Sequence, residues 1–292
     1  MNWAILVIAS LFLYSLVEIL DKHVFEVYHK NVAIRTIFYG GMGGVFALLF
    51  LLFRSISFGP QAPLLLYLGF AHVLMIIFWF KAISIDEVSR MITIYHTSAL
   101  FVVLLGYIFL GEMFSALTYL GIALLIIGSM LVSVRRLGGL VKISKGVLPV
   151  LIAAAGFACI TVLTKHAIDL SDPWSAYFWI NLGAGLTVLP LIAYYRKPLR
   201  KLMKTSPRSG IIMAGAESIG LVGFMLTMFA FSIGPASLIA SLSQVQPAIV
   251  LGYVVLLSVF RPSVLKEELG KNTLILKAVA IALMIVGAVL IL

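Results

Sequence analysis

Charged residues are scarce in this chain: Asp, Glu, Lys and Arg together make up 11% of its 292 residues, against about 25% in a soluble domain. So few charges cannot cover a water-facing surface, and 62% of the residues are hydrophobic. With a mean hydropathy of +1.15, the solvent must be lipid. Acidic residues are scarcer still, 11 against 21 basic ones, for a formal net charge of +10. The basic residues fall between apolar runs, so membrane topology and anionic lipid account for the excess better than nucleic acid does.

Cysteine is almost missing. The single Cys159 lies in an apolar run and excludes an internal disulfide. Paired-His metal motifs, a nucleophile elbow and ATP-binding loops are lacking too. The expectation is therefore a protein that is not an enzyme, has no cofactor or metal, and draws its energy from a gradient or acts as a facilitator. A cleavable leader is not expected either: Trp3 to about Leu20 has no basic stretch before it and no small-residue cleavage pattern after it.

What the sequence does have is a set of apolar runs, at approximately 3–22, 33–53, 64–84, 89–110, 114–134, 146–167, 175–195, 209–232, 236–260 and 273–292. Each is long enough for about one membrane helix. The fold class expected is an all-α membrane protein with ten transmembrane helices. Within span two, Gly40-Gly41-Met42-Gly43-Gly44 lacks the Lys and Ser/Thr of a phosphate loop and reads as a close helix crossing.

Three internal matches recur in the same order. Leu20-Asp21-Lys22-His23 pairs with Leu163-Thr164-Lys165-His166, and Ala82-Ile83-Ser84-Ile85 with Ala230-Phe231-Ser232-Ile233. Ile122–Gly128 and Ile281–Gly287 are identical at five of seven positions. Such register implies a duplication, with a first repeat over 1–138, a basic linker over 139–145 and a second repeat over 146–292. Five spans per repeat is odd, so the second repeat enters the membrane in the opposite sense, an arrangement typical of secondary transporters. Loops one, three, five, seven and nine hold 19 of the 21 basic residues. That bias places those loops in the cytoplasm and both termini outside a cell (plasma or inner) membrane.

Candidate functional residues are polar groups at membrane depth. Glu217, about two turns into span eight, reads as a proton carrier or a ligand for a substrate amine; the alternative is a buried carboxyl held for packing. Tyr95 and His96 in span four face the corresponding turn of span nine, Ser243, Gln244 and Gln246, where Pro247 is expected to free the Ser243 carbonyl. These groups either line a shared cavity or bond helix to helix. Lys22 and Lys165 stand at equivalent places in the two repeats, each with an acid four residues later. They serve as alternating gates or simply snorkel to the interface. Glu18 lies at i,i+4 from Lys22 and is expected to pair with it. Trp3 and Trp174 read as belt residues, Trp79 and Trp179 as belt or inward-facing ones, and Asn181 as a packing hydrogen bond.

On Leu110-Gly111-Glu112, the glycines Gly121 and Gly128, the turn Gly234-Pro235-Ala236-Ser237 and the pair Gln246-Pro247, the chain resembles the drug/metabolite transporter superfamily, specifically its ten-helix EamA-like members. The likeness covers nearly the whole chain. It implies a central cavity between the halves that opens to each side in turn, and small organic solutes as cargo. The second half departs in replacing the Leu-Gly-Glu turn with the longer 260–272 connection. Members are usually drawn with both termini inside, opposite to the charge bias. The small multidrug branch depends on a glutamate two turns before a lysine in its first helix. Tyr14 and Phe157 stand there in the two halves, which disfavours that exchange and leaves Tyr14 as a lining candidate.

The expected function is secondary transport of a small polar or amphipathic, amino-acid-like metabolite by alternating access, with export and proton coupling. One alternative is exchange of phosphorylated sugars or nucleotide sugars through Lys22, Lys81, Arg90 and Lys165; another is a non-transporting scaffold. The partners expected are the solute, the proton and the lipid bilayer. Because both halves share one chain, a monomer is expected.

Overall fold

The computed structural model describes residues 2–27, 31–86, 88–133, 145–260 and 271–292, and among them every element is helical. In chain order these are α1 (Trp3–Val27), α2 (Val32–Phe50), α3 (Ala62–Ile85), α4 (Val88–Tyr95), α5 (Ser98–Leu105) and α6 (Ala116–Ser133). Then come α7 (Val147–Asp169), α8 (Pro173–Tyr194), α9 (Arg196–Thr205), α10 (Pro207–Ile233), α11 (Ala236–Leu242), α12 (Gln246–Phe260) and α13 (Lys271–Ile291). Of the expected linker 139–145, only Lys145 is among the described residues. Most of the 260–272 connection also lies outside them, as do the side chains of Lys22 and Arg90.

Local chemistry sets several helix starts. The Asn31 side chain accepts the N–H groups of Ala33 and Ile34 to open α2. Asp172 caps α8 through the Ser175 N–H, and Pro173 and Pro207 occupy first-turn positions where no amide donor is needed. Among the described residues, seven helical stretches are long and apolar enough to cross a membrane. Three shorter apolar helices, Ser98–Leu110, Ala116–Val132 and Ile275–Ile291, accompany them. At 1.5 Å per residue the first two reach at most about 25 Å, short of a hydrocarbon core of about 30 Å; the third belongs to α13, whose 21 residues are long enough to span it. Each of these stretches overlaps one of the ten apolar runs of the sequence, and within the run 89–110 the longer helix begins only at Ser98.

Large apolar side chains such as Leu48, Phe53, Ile108 and Val289 point outward and are exposed, as a lipid solvent requires. Small residues carry the inner contacts. A methyl group placed on Gly185 would stand 2.5 Å from the Gly44 Cα, so the glycine cluster of α2 is a close crossing with α8. In the α6–α13 pair, a Cβ on Gly121 would stand 2.9 Å from the Gly287 carbonyl oxygen, and one on Gly128 would stand 2.9 Å from the Ala280 carbonyl oxygen.

Two helices are broken midway. Between α4 and α5, Thr97 N–H donates to the Ile94 carbonyl and Leu100 N–H to the Thr97 carbonyl, both at 3.0 Å. Between α11 and α12, residues Ser243–Val245 form a 3₁₀ turn. There the expectation for Pro247 needs correction: the Ser243 carbonyl is not free, because the tightened turn brings the Gln246 N–H onto it.

The charge bias needs a correction as well. Arg35 and Lys277, counted among the nineteen basic loop residues, lie inside α2 and α13 and are 2% and 8% exposed. Both stand near the ends of the apolar runs 33–53 and 273–292, where a count by loops takes in charges that the fold buries. The bias survives without these two.

Candidate functional site

The side chain that organises the interior is Arg35. Asn31 starts α2 one turn earlier, so Arg35 sits one turn inside the helix, where water cannot solvate it. Its Nη2 donates to Asp21 Oδ1 on α1, and its Nη1 stands 2.6 Å from Glu217 Oε1 on α10. The Phe80 ring of α3 covers the guanidinium with its centroid 5.5 Å away. Three helices thus meet at one cation with two carboxylates, and Arg35 and Glu217 are almost fully buried. Buried charges persist only when paired this way. With both acids ionised the cluster carries one net negative charge, which a proton or a substrate ammonium would neutralise.

Sequence reasoning singled out Glu217 and missed both of its companions. Asp21 lies inside a repeat match, and Arg35 stands at the edge of an apolar run, next to the first basic loop. The available signal was an arginine four residues after an Asn cap, already inside an apolar run.

Beyond the triad, toward the middle of the molecule, aromatic rings gather. His72 of α3 stacks on Tyr39 at 5.9 Å between ring centroids and meets Phe157 and Phe224 edge-on at 5.0 and 5.7 Å. Tyr95 touches Phe157 at 5.9 Å and Trp79 at 5.1 Å. Tyr14 shares a hydrogen bond with Thr227 at 3.3 Å and faces Gly223. Most of these rings are half-buried rather than fully packed. His72 Nδ1 has no hydrogen-bond partner among the described residues. Trp79, Tyr95 and Tyr14 therefore lie among one group of rings, whereas Trp179 turns to the 51–61 segment and donates its indole N–H to the Ser57 carbonyl at 3.0 Å.

The two helix interruptions bring other candidates together. Gln244 Oε1 accepts from Ser129 of α6 at 3.0 Å, while His96 Nε2 is buried without a hydrogen-bond partner among the described residues. His96 lies in the break between α4 and α5 and Gln244 in the 3₁₀ turn between α11 and α12, and both are buried. Ser243 donates back to Ile239 at 2.8 Å. Gln246 donates to Glu18 of α1 at 3.1 Å, a partner the sequence did not suggest. The expected Glu18–Lys22 pair lies outside the described residues.

At the other end of the molecule, Gly111 ends the π-helical turn after α5 with φ of +66°, a conformation that favours glycine. It swings Glu112 toward α11, where the carboxylate accepts the N–H groups of Ala236 at 2.6 Å and Ser237 at 2.9 Å. A cavity of about 530 Å³ opens beside it, lined in part by Glu112, Lys165, His166, Asp169 and Ser232. Lys165 and Asp169 form an i,i+4 pair at 2.5 Å in its wall. Among the described residues, no group of three or more His, Cys, Asp or Glu side chains is placed to hold a metal.

A model of the EamA-like transporter family matches residues 1–134 and 144–292. One protein known from a crystal structure superposes with a TM-score of 0.69 at 19% identity, over 99% of this chain and 95% of its own; that likeness shows the fold. No curated protein matches. The chain belongs to the EamA-like transporter family, membrane transporters of the drug/metabolite transporter superfamily.

Proposed function

We propose that the protein is a secondary transporter that exports a small, amino-acid-like metabolite by alternating access, coupled to protons. The observation that carries this reading is Arg35 shared between Asp21 and Glu217 at one end of the interior. A cation held by two acids on separate helices is a contact that a proton or a substrate amine can loosen, because either removes the excess negative charge. The aromatic group and Tyr14, Trp79 and Tyr95 supply apolar and neutral polar walls. His96, Ser243, Gln244 and Gln246 supply hydrogen bonds near the breaks in their helices.

In this reading the seven long and three shorter apolar helices are ten spans, built as inverted repeats over 1–138 and 146–292 with a linker over 139–145. Exchanging the halves maps α1 onto α7, α2 onto α8, α3 onto α10, α4–α5 onto α11–α12 and α6 onto α13. Under that exchange the α1–α10 packing becomes α7–α3, and α5–α7 becomes α12–α1; α2–α8 and α6–α13 map onto themselves. The two glycine contacts of the α6–α13 pair interchange as well. The remaining loop charge supports a cytoplasmic location for the Arg35 end, both termini outside, in a cell membrane. One chain supplies both halves, which supports a monomer.

Of the four cations of the anionic-cargo alternative, Lys165 is paired with Asp169, which weakens its claim on a phosphate.

The test is flux in proteoliposomes with an imposed pH gradient. The cargo is first found by melting the protein against a metabolite panel, where saturation at a hundred times Kd adds about 2.7 kcal/mol. Glu217→Gln is expected to keep substrate stabilisation and lose acceleration by the gradient. An unchanged gradient response in that variant removes Glu217 from coupling.

A further inference from the structure

The short helix α9 is used by none of the above. On a helical projection, Arg196, Lys197, Arg200, Lys201 and Lys204 fill one arc of about 140°, at about 100° per residue. Leu199 and Leu202 fall on the opposite side. The structure uses this division. Leu202 is buried with Val24, Ile34 and Met213, and Leu199 packs on the same cluster. The five basic residues are exposed, and none is ion-paired to a carboxylate among the described residues.

Two further observations place this charge against the bilayer. Only Tyr195 separates α9 from the long apolar helix α8, and only Ser206 separates it from α10, so α9 is pinned at the level of the helix ends. Tyr194 and Met203 are 79% and 49% exposed, an aromatic and a flexible apolar side chain on either flank of the basic arc. A basic arc bordered by apolar groups at an interface is the pattern of an amphipathic helix lying on anionic lipid.

We infer that α9 is a docking element for anionic phospholipid headgroups, clamped by Leu199 and Leu202 to the ends of α1, α2 and α10. The clamp points lie beside the charged triad: Val24 is three residues from Asp21, Ile34 adjoins Arg35, and Met213 is four residues before Glu217. Lipid that holds α9 down therefore holds those three ends together. This last consequence rests on the transport reading; the lipid binding does not.

The experiment uses the full chain, with Cys159→Ala and Met203→Cys carrying an environment-sensitive fluorophore. The protein is placed in nanodiscs of phosphatidylcholine alone or of phosphatidylcholine with phosphatidylglycerol. The parent is expected to shift its emission to the blue with phosphatidylglycerol, and high salt is expected to abolish the shift. Replacing the five basic residues by Gln is expected to remove the response, each replacement weakening lipid association about fivefold. Arg196→Lys with Arg200→Lys keeps the charge and is expected to keep the response. An emission that ignores phosphatidylglycerol, a salt-insensitive shift, or an equal response in the Gln variant overturns the assignment. Salt dependence of the parent decides the matter alone if the Gln variant does not fold. Flux does not enter this readout, so its failure leaves the transport reading standing.

Discussion

Arg35 carries more of the interior than any residue singled out from the sequence. Removing it leaves Asp21 and Glu217 facing each other without a cation, and breaking a buried pair this way costs about 3–5 kcal/mol. Arg35→Ala is therefore expected to lower the melting temperature sharply. Neutralising the whole group, with Asp21→Asn, Arg35→Met and Glu217→Gln together, is expected to recover most of that stability while flux stays lost. Calorimetry and flux on the same preparations separate the two effects; if the triple variant is no more stable than Arg35→Ala, a net electrostatic penalty is not the cause. A polar residue at membrane depth was legible one residue at a time, as with Glu217. Its partner was not, because α10 lies far along the chain from α1 and α2 and meets them only when packed.

Helix termination and helix crossing are the next level of organisation. Gly111 and Glu112 stood out as a motif without a role, and the fold supplies one: the glycine turns the chain so that the carboxylate caps α11. Glu112→Gln is expected to cost about 1 kcal/mol, the usual value of a charged cap, read by chemical unfolding or melting in detergent. At the α2–α8 crossing, Gly185→Val is expected to be far worse, because even a Cβ there stands 2.5 Å from the Gly44 backbone; loss of folded yield reports it. The glycine cluster was readable as a packing face from composition alone. Which helix it met was not, since a glycine-rich face suits any neighbour of the right crossing angle.

For the molecule as a whole, the cavity of about 530 Å³ lies at the Glu112 end, and the triad and α9 lie at the Arg35 end. Alternating access then makes a distinct prediction. In a Cys159→Ala background, Ser232→Cys is expected to react readily with an impermeant maleimide and Met213→Cys slowly. Substrate on the Arg35 side is expected to narrow the difference; equal rates that substrate leaves unchanged count against two-sided exposure.

Much of this protein was decided by its composition and order alone. The lipid environment follows from the shortage of charge, the all-helical spans from long apolar runs whose backbone must bond internally, and the proposal of a duplication from matches kept in register. Pairing across those spans was decided by packing. Arg35 with Asp21 and Glu217, Gln246 with Glu18, and Glu112 with the start of α11 join positions from different helices. Hydropathy is a sum along the chain and registers how polar a segment is. The energy of a buried charge depends on what stands beside it in space, and only the folded arrangement of helices supplies that neighbour.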